Sequence, residues 1–120
     1  MMEIWKDITE YEGLYKISNN GKVKRLSYTQ IHPVHNGKCF FNEKILKLFK
    51  DKDGYLKVNL TKNGIGKQFF VHRLVALAFI DNSENKPTVN HKNSKRDDNK
   101  ISNLEWATSS EQNYHSYWFG

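Results

Sequence analysis

A single cysteine, Cys39, and two prolines stand among the 120 residues of the chain. A lone thiol excludes a disulfide framework and leaves no cysteine pair for a zinc ribbon. Long apolar runs are also missing. The longest, around Leu74 to Ile80, falls far short of the roughly 20 residues that a bilayer-crossing helix requires. The N-terminal stretch MMEIWKDITEYEG is acidic where a secretory leader would be basic and then apolar. The expectation is a cytoplasmic protein with no membrane partner. Low-complexity tracts are absent, and the two Asn-Gly hairpin signals differ too much around their turns to be a repeat. Acidic residues are in deficit, with 13 Asp and Glu against 19 Lys and Arg, a formal charge of +6 and a pI near 9.4. That balance favours a polyanionic partner. What the chain does have is aromatic mass: three Trp, six Tyr and seven Phe supply the buried area that a core of this size needs.

Hydrophobic periodicity divides the chain into two lobes, 1–71 and 72–120. Leu14 to Ile17 and Lys22 to Leu26 alternate about Asn20-Gly21, a hairpin signal because both residues accept the left-handed backbone that a tight reversal needs. Ser27 to Lys44, with Pro33, Gly37 and two histidines, reads as a loop. Tyr55 to Leu60 and Lys67 to Val71 flank Thr61-Lys62-Asn63-Gly64 as a second hairpin. From His72 to Phe79 the spacing of Leu74, Val75, Ala78 and Phe79 predicts a short buried helix, and Asp81 to Pro87 a turn-rich link. Thr88 to Asn90 ends a strand, Lys92 to Lys100 is a polar loop, and Leu104 to Ala107 is a second short strand. Thr108, with Glu111 three residues on, is a capping-box pattern that starts a final helix carrying Asn113 and His115.

The run VNHKNSKRDDNKISNLEWATSSEQNYH, Val89 to His115, resembles the HNH nuclease motif. VHRLVALAFI, opening with His72 and Arg73, resembles the segment that precedes the catalytic strand in that family. Glu3 to Leu26, EIWKDI through YEGLYKISNNGKVKRL, resembles the modular DNA-binding motif found ahead of many phage and intron-encoded HNH nucleases. Together these resemblances cover most of the chain outside residues 27–54. They imply an α+β protein in which a β-hairpin DNA-binding lobe precedes a ββα-metal nuclease lobe. The implied activity is metal-dependent hydrolysis of phosphodiesters in double-stranded DNA, by nicking or cleavage, in a phage or mobile-element setting. Homing relatives often continue into a helix-turn-helix segment, and none is expected here.

The residue types suit that chemistry. Hydrolysis needs a water, a group to take its proton, and positive charge at the leaving oxygen. A histidine neutral near pH 7 can take the proton, a role that falls to His91 at a rigid strand end. By resemblance, Asn103 is the middle Asn of the motif and braces the loop that orients His91. The expected cofactor is a divalent ion, magnesium before manganese, for which one or two protein oxygens suffice beside water. Asn90 and Asn113 are the candidate ligands, with His115 an alternative better suited to zinc, nickel or manganese. Relatives carry an acidic residue at or near these positions where this chain has Asn90 and Asn93, and Asn where it has Asp98. A neutral oxygen holds magnesium weakly, so the DNA phosphate would complete the site. DNA contact is expected from Lys16, Lys22, Lys24 and Arg25 on the first hairpin, Lys57, Lys62 and Lys67 on the second, and Arg73, Lys95 and Arg96. Two-stranded ribbons of this kind fit a major groove.

Residues with other readings are weighed the same way. His72 reads as a structural residue bracing a lobe interface, Glu105 as a solvated strand residue before a metal carboxylate, and Asn99 as a turn former. His32 and His35 are disfavoured as a metal pair. The alternative function, from a different class, is a DNA-binding module with a decayed, inactive HNH motif. A structural zinc protein using His72, His91 and His115 is disfavoured by the missing cysteines.

Overall fold

The computed structural model describes residues 2–31, 34 and 37–108. The chain runs through β1 (Trp5–Asp7), β2 (Tyr15–Ser18), β3 (Val23–Arg25), β4 (Tyr28–Ile31), β5 (Lys38–Phe41), β6 (Lys44–Ile45), β7 (Phe49–Lys50), β8 (Leu56–Lys62) and β9 (Ile65–Phe70). Helix α1 (Val71–Phe79), β10 (Thr88–His91), a 3₁₀ turn (Ile101–Asn103) and β11 (Leu104–Ala107) follow. The class is α+β, as the sequence implies.

Both hairpins form where the Asn-Gly pairs stand. Between β8 and β9, Asn63 and Gly64 adopt φ of 53° and 78°, so two left-handed residues close a tight reversal with Lys62 opposite Ile65. Between β2 and β3 only Gly21 is left-handed, and the turn is closed from inside by Ser18. Its Oγ accepts from the backbone N–H of Asn20 at 3.2 Å and of Lys22 at 3.0 Å, which satisfies two donors that the reversal would otherwise strand.

The stretch expected as a loop, Ser27 to Lys44, contains strands β4 and β5, paired from Tyr28↔Phe41 to Ile31↔Lys38 as a sheet of their own. Tyr28 and Phe41 stack with ring centroids 4.7 Å apart. Alternation could not reveal this ribbon, because seven of its eight strand residues are exposed and no buried face imposes a period.

Helix α1 is the hub. Its spacing buries Val71, His72, Leu74, Val75 and Ala76, and it packs on β2, β8, β9, β10, β11 and the 3₁₀ turn. One buried cluster draws Ile17 and Val23 from the first hairpin, Val58 and Leu60 from the second, Val71 and Val75 from the helix, and Val89 and Leu104 from the last two strands. Segments on both sides of residue 71 therefore share one core. Within an envelope of 61 × 29 × 26 Å this core lies beneath β10 and holds that strand's end in place.

Candidate active site

His91 closes β10 in a two-stranded ladder with β11, registered Thr88↔Ala107, Val89↔Trp106, Asn90↔Glu105 and His91↔Leu104. The ladder is extended at both ends. Thr88 Oγ1 donates to the Ala107 carbonyl at 2.7 Å, and the Lys92 N–H donates to the Asn103 carbonyl at 2.8 Å. Val89 and Leu104, buried beneath, seat the pair on α1. His91 is thereby held by a strand and a core rather than by a loose loop, and only 5% of it is exposed.

The loop from Lys92 to Lys100 is polar but tightly ordered. Asn103 spans it: Oδ1 accepts from the Asn93 N–H at 3.0 Å, and Nδ2 donates to the Asp98 carbonyl at 2.8 Å. Asn93 closes an Asx turn by accepting from the Lys95 N–H at 2.9 Å, and its Nδ2 donates to Asp98 Oδ2 at 2.9 Å. Ser94 takes a left-handed φ of 63°, while its N–H donates to the His91 carbonyl at 3.0 Å. Two outer contacts fasten the loop to β7 and to the turn between β7 and β8. Arg96 donates to the Asp53 carbonyl at 2.7 Å and lies over the Tyr55 ring, and Asp97 pairs with Lys50 at 3.1 Å. The Lys50 ammonium holds the Asp97 carboxyl below its ordinary range.

Two rings and one amide surround His91. His72 meets it edge-on at 5.0 Å, and Tyr55 lies at 5.9 Å. Asn99, 4% exposed, places Oδ1 at 2.8 Å from His91 Nε2. With a carbonyl oxygen as partner, Nε2 carries the ring proton and Nδ1 is left as the basic atom. Burial lowers the His91 pKa below its usual 6.5, against the opposing pull of the Asn99 hydrogen bond and Asp98. His72 is pushed down to about 4, by burial first and then by the charges of His91 and Arg73. Both rings are neutral at pH 7, as a proton acceptor must be.

Asn90, facing Glu105 across the ladder, donates Nδ2 to Glu105 Oε1 at 3.0 Å. That bond fixes the amide and leaves Oδ1 as the atom available to a cation. Glu105, which sequence reasoning weighed first as a solvated residue, is the partner that orients it. A hard divalent ion fits an amide oxygen with a carboxylate beside it, whereas a closed cage is absent: among the described residues no three His, Cys, Asp or Glu side chains converge. Asn113 and His115, the other expected ligands, lie outside the described residues, as do His32 and His35.

The cations expected to meet DNA divide into two groups. Lys24 sits 4.4 Å over the Trp5 ring and 3.7 Å from Glu43, and Arg25 donates to the Asn42 carbonyl while lying over Tyr28. Lys57 rests over Phe70, Lys62 donates to the Glu10 carbonyl, and Arg73 donates to the Pro87 carbonyl. Arg96 is held by Asp53 as described. Lys22, Lys67 and Lys95 are exposed and their ammonium groups make no ion pair or hydrogen bond among the described residues, and Lys16 is half-buried with its ammonium likewise unengaged among them. Sequence reasoning saw the charge but had no means of telling which cations the fold already engages. It also passed over Asn99 as a site residue, since an Asn beside a charged run carries no signal beyond turn formation.

A two-stranded ladder ending in a buried, hydrogen-bonded His, followed by an Asn-braced loop, is the geometry of the HNH nuclease class. Family comparison agrees: residues 69–114 match the HNH endonuclease family and residues 3–61 match the NUMOD4 motif. The chain belongs to the HNH endonucleases, with a NUMOD4 motif ahead of the nuclease segment. It is 41% identical over 104 residues to the DNA endonuclease I-HmuI of Bacillus phage SP01, covering 87% of this chain and 52% of that protein. It is 40% identical over 119 residues to the uncharacterized HNH endonuclease L247 of Acanthamoeba polyphaga mimivirus, covering 95% of this chain and 26% of that one. The solved structure of the homing endonuclease I-HmuI, which concerns DNA binding and cleavage, superposes with a TM-score of 0.71 at 40% identity, over 89% of this chain and 53% of that one. The chain thus spans about half the length of I-HmuI or less of its other relatives. HNH endonucleases in general use a divalent metal. No helix among the described residues is long and apolar enough to cross a membrane.

Proposed function

We propose that the chain hydrolyses phosphodiester bonds of double-stranded DNA, with His91 as general base and a divalent ion, magnesium by preference, as cofactor. The observation that carries this reading is the Asn99–His91 pair at 2.8 Å, which leaves a neutral ring with one committed nitrogen and one free to accept a proton. In this mechanism Nδ1 of His91 takes the proton of a water aimed at the scissile phosphorus, and burial keeps the ring unprotonated until that moment. Asn103 holds the loop, and so the ring, in register. The ion, when bound, supplies positive charge at the scissile phosphate and the departing oxygen. Asn90 Oδ1 would hold it, together with Asn113 or His115. Lys22, Lys67 and Lys95 are the cations best placed to take phosphates. The phage relative supports a phage or mobile-element setting, acting on DNA inside the host cell.

A second reading is favoured by one observation: Asn90 is a neutral amide whose Nδ2 is already bonded to Glu105, a weak start for a magnesium site. On that reading the chain binds DNA without cutting it. Incubation of supercoiled plasmid with the protein, with and without magnesium, separates the two. Open-circular or linear product that requires magnesium, and that His91→Ala abolishes while binding persists, supports hydrolysis. Tight DNA binding with intact plasmid under every divalent ion tried overturns it in favour of the binder.

A further inference from the structure

The turn of the first hairpin, 78 residues before Asn99 in the sequence (99 − 21), lies directly on the amide that holds His91. A Cβ placed on Gly21 would stand 2.9 Å from Asn99 Cβ, closer than real Cβ atoms approach, and 3.3 Å from the Asn99 carbonyl oxygen, a tight contact. The contact is reinforced two residues either side, where the Ile101 N–H donates to the Asn19 carbonyl at 2.9 Å. Asn19 is in turn locked, accepting on Oδ1 from the Ile4 N–H at 3.0 Å and donating from Nδ2 to the Met2 carbonyl at 3.3 Å. On the far side of the contact, Asn99 Oδ1 meets His91 Nε2 while Asn99 Nδ2 is buried with no partner among the described residues. A buried orphan donor is unfavourable, so the hydrogen bonds of Asn99 do not by themselves account for where the side chain sits. The wall behind it does: the Gly21 backbone closes the space into which Asn99 could withdraw.

We propose that Gly21 and its turn are a positioning device for catalysis, by which the N-terminal motif presses Asn99 onto His91 and so fixes the Nε2–H form of the ring. This rests on the reading of His91 as general base. Gly21 touches neither DNA phosphate nor the reacting atoms in this scheme. It acts through Asn99, and the glycine is required for close approach as well as for its φ of +85°. The motif named for DNA binding therefore contributes to the rate of the chemical step.

The test uses Gly21→Asn, because Asn tolerates a left-handed backbone while its Cβ meets Asn99. Gly13→Asn is the control, since Gly13 has a φ of +78° with nothing within 4 Å. Single-turnover plasmid cleavage should fall about 10- to 100-fold in Gly21→Asn, the cost of misplacing a catalytic group by a fraction of an ångström to one ångström, with the Kd for DNA within about twofold. Gly13→Asn should keep the parent's rate. In an Asn99→Ala background, Gly21→Asn should add no further loss, because the group through which it acts is gone. The ¹⁵N spectrum of the His91 ring at about pH 9, where the ring is neutral, should show Nε2–H in the parent and a tautomer mixture in Gly21→Asn and Asn99→Ala. Parent-like rate and tautomer in Gly21→Asn overturn the proposal, as does an equal additional loss in the Asn99→Ala background. If Gly21→Asn fails to fold, Asn19→Ala, which loosens the turn without adding a Cβ at the contact, is read by the same measurements, and parent-like rate and tautomer in it likewise overturn the proposal. Cleavage surviving in His91→Ala would sink the general-base reading instead, and the tautomer measurement still decides whether Gly21 positions the ring.

Discussion

Replacing Asn103 by Ala removes a brace without touching the proposed reacting groups, and the size of the effect follows from what that side chain does. Two hydrogen bonds disappear, to the Asn93 N–H and to the Asp98 carbonyl. Each contributes about 1 kcal/mol net, and because Asn93 is exposed and Asp98 half-exposed, water can serve the freed groups. The loss in stability is then about 1–2 kcal/mol, or a fall in Tm of roughly 3–10 °C for a domain of this size, readable by calorimetry. Activity should fall by more than the folded fraction does. The loop that Asn103 spans also carries Asn99, and a ring misaligned by about 1 Å costs on the order of 10²-fold in rate. Cleavage assayed well below the variant's Tm should therefore drop by one to two orders of magnitude, with the magnesium midpoint unmoved, since Asn103 is assigned no ligand role. Asn103→Asp keeps the acceptor for Asn93 and loses the donor to Asp98, so it should lie between parent and Ala. A Tm within about 1 °C of the parent, together with full cleavage, would refute the bracing argument. A shifted metal midpoint at unchanged Tm would instead move Asn103 into the cation site.

Four further outcomes are expected. His91→Ala should lose about 10²- to 10⁴-fold in cleavage rate with DNA affinity unchanged, and equal rates would remove the residue from proton transfer. Because burial holds the His91 pKa below 6.5 and the base acts in its neutral form, kcat/KM should climb with pH through a midpoint under 6.5 and then level; a midpoint above neutrality contradicts the assignment. His72, at about 4 when folded against 6.5 when unfolded, favours the folded state only while neutral, so its stabilising effect is complete above pH 6.5 and lost as pH falls toward 4. The change is about 3 kcal/mol, and His72→Phe should flatten that part of the Tm–pH curve. Replacing Lys22, Lys67 and Lys95 together by Ala should flatten the slope of log affinity against log salt by roughly two to three units, and an unchanged slope would show that they meet no phosphates.

The hairpins, the helix and the strand that ends in His91 were legible because each carries a local rule that tertiary contact reinforces. Asn63-Gly64 dictates its turn, Leu74 and Val75 face one way at helical spacing, and Val89 alternates toward the core. The β4–β5 ribbon was not, because a strand exposed on both faces leaves no period to read. Charge could be counted but not assigned: that Arg96 serves the Asp53 carbonyl, or that Lys24 rests on Trp5, depends on which segments the fold brings together. The role of Asn99 was hidden for the same reason. Nothing in the letters around it reports that Gly21 lies against its back.

The ribbon of Tyr28–Ile31 and Lys38–Phe41 leads to a conclusion about tolerance to change. None of its residues belongs to the buried cluster, and it pairs with no strand but its own. It leaves the first sheet after β3 and returns to the same sheet at β6, whose Lys44 and Ile45 pair with Arg25 and Lys24. The ends of the excursion are thus fixed beside one another by neighbouring strands, whatever lies between. Closing a shorter or longer excursion across that gap changes loop entropy by only about 0.6 kcal/mol for each doubling in length. The segment is therefore free to vary in reach and composition, like an adjustable arm on a rigid frame, while His91, held by the core and a ladder the ribbon does not join, stays where it is.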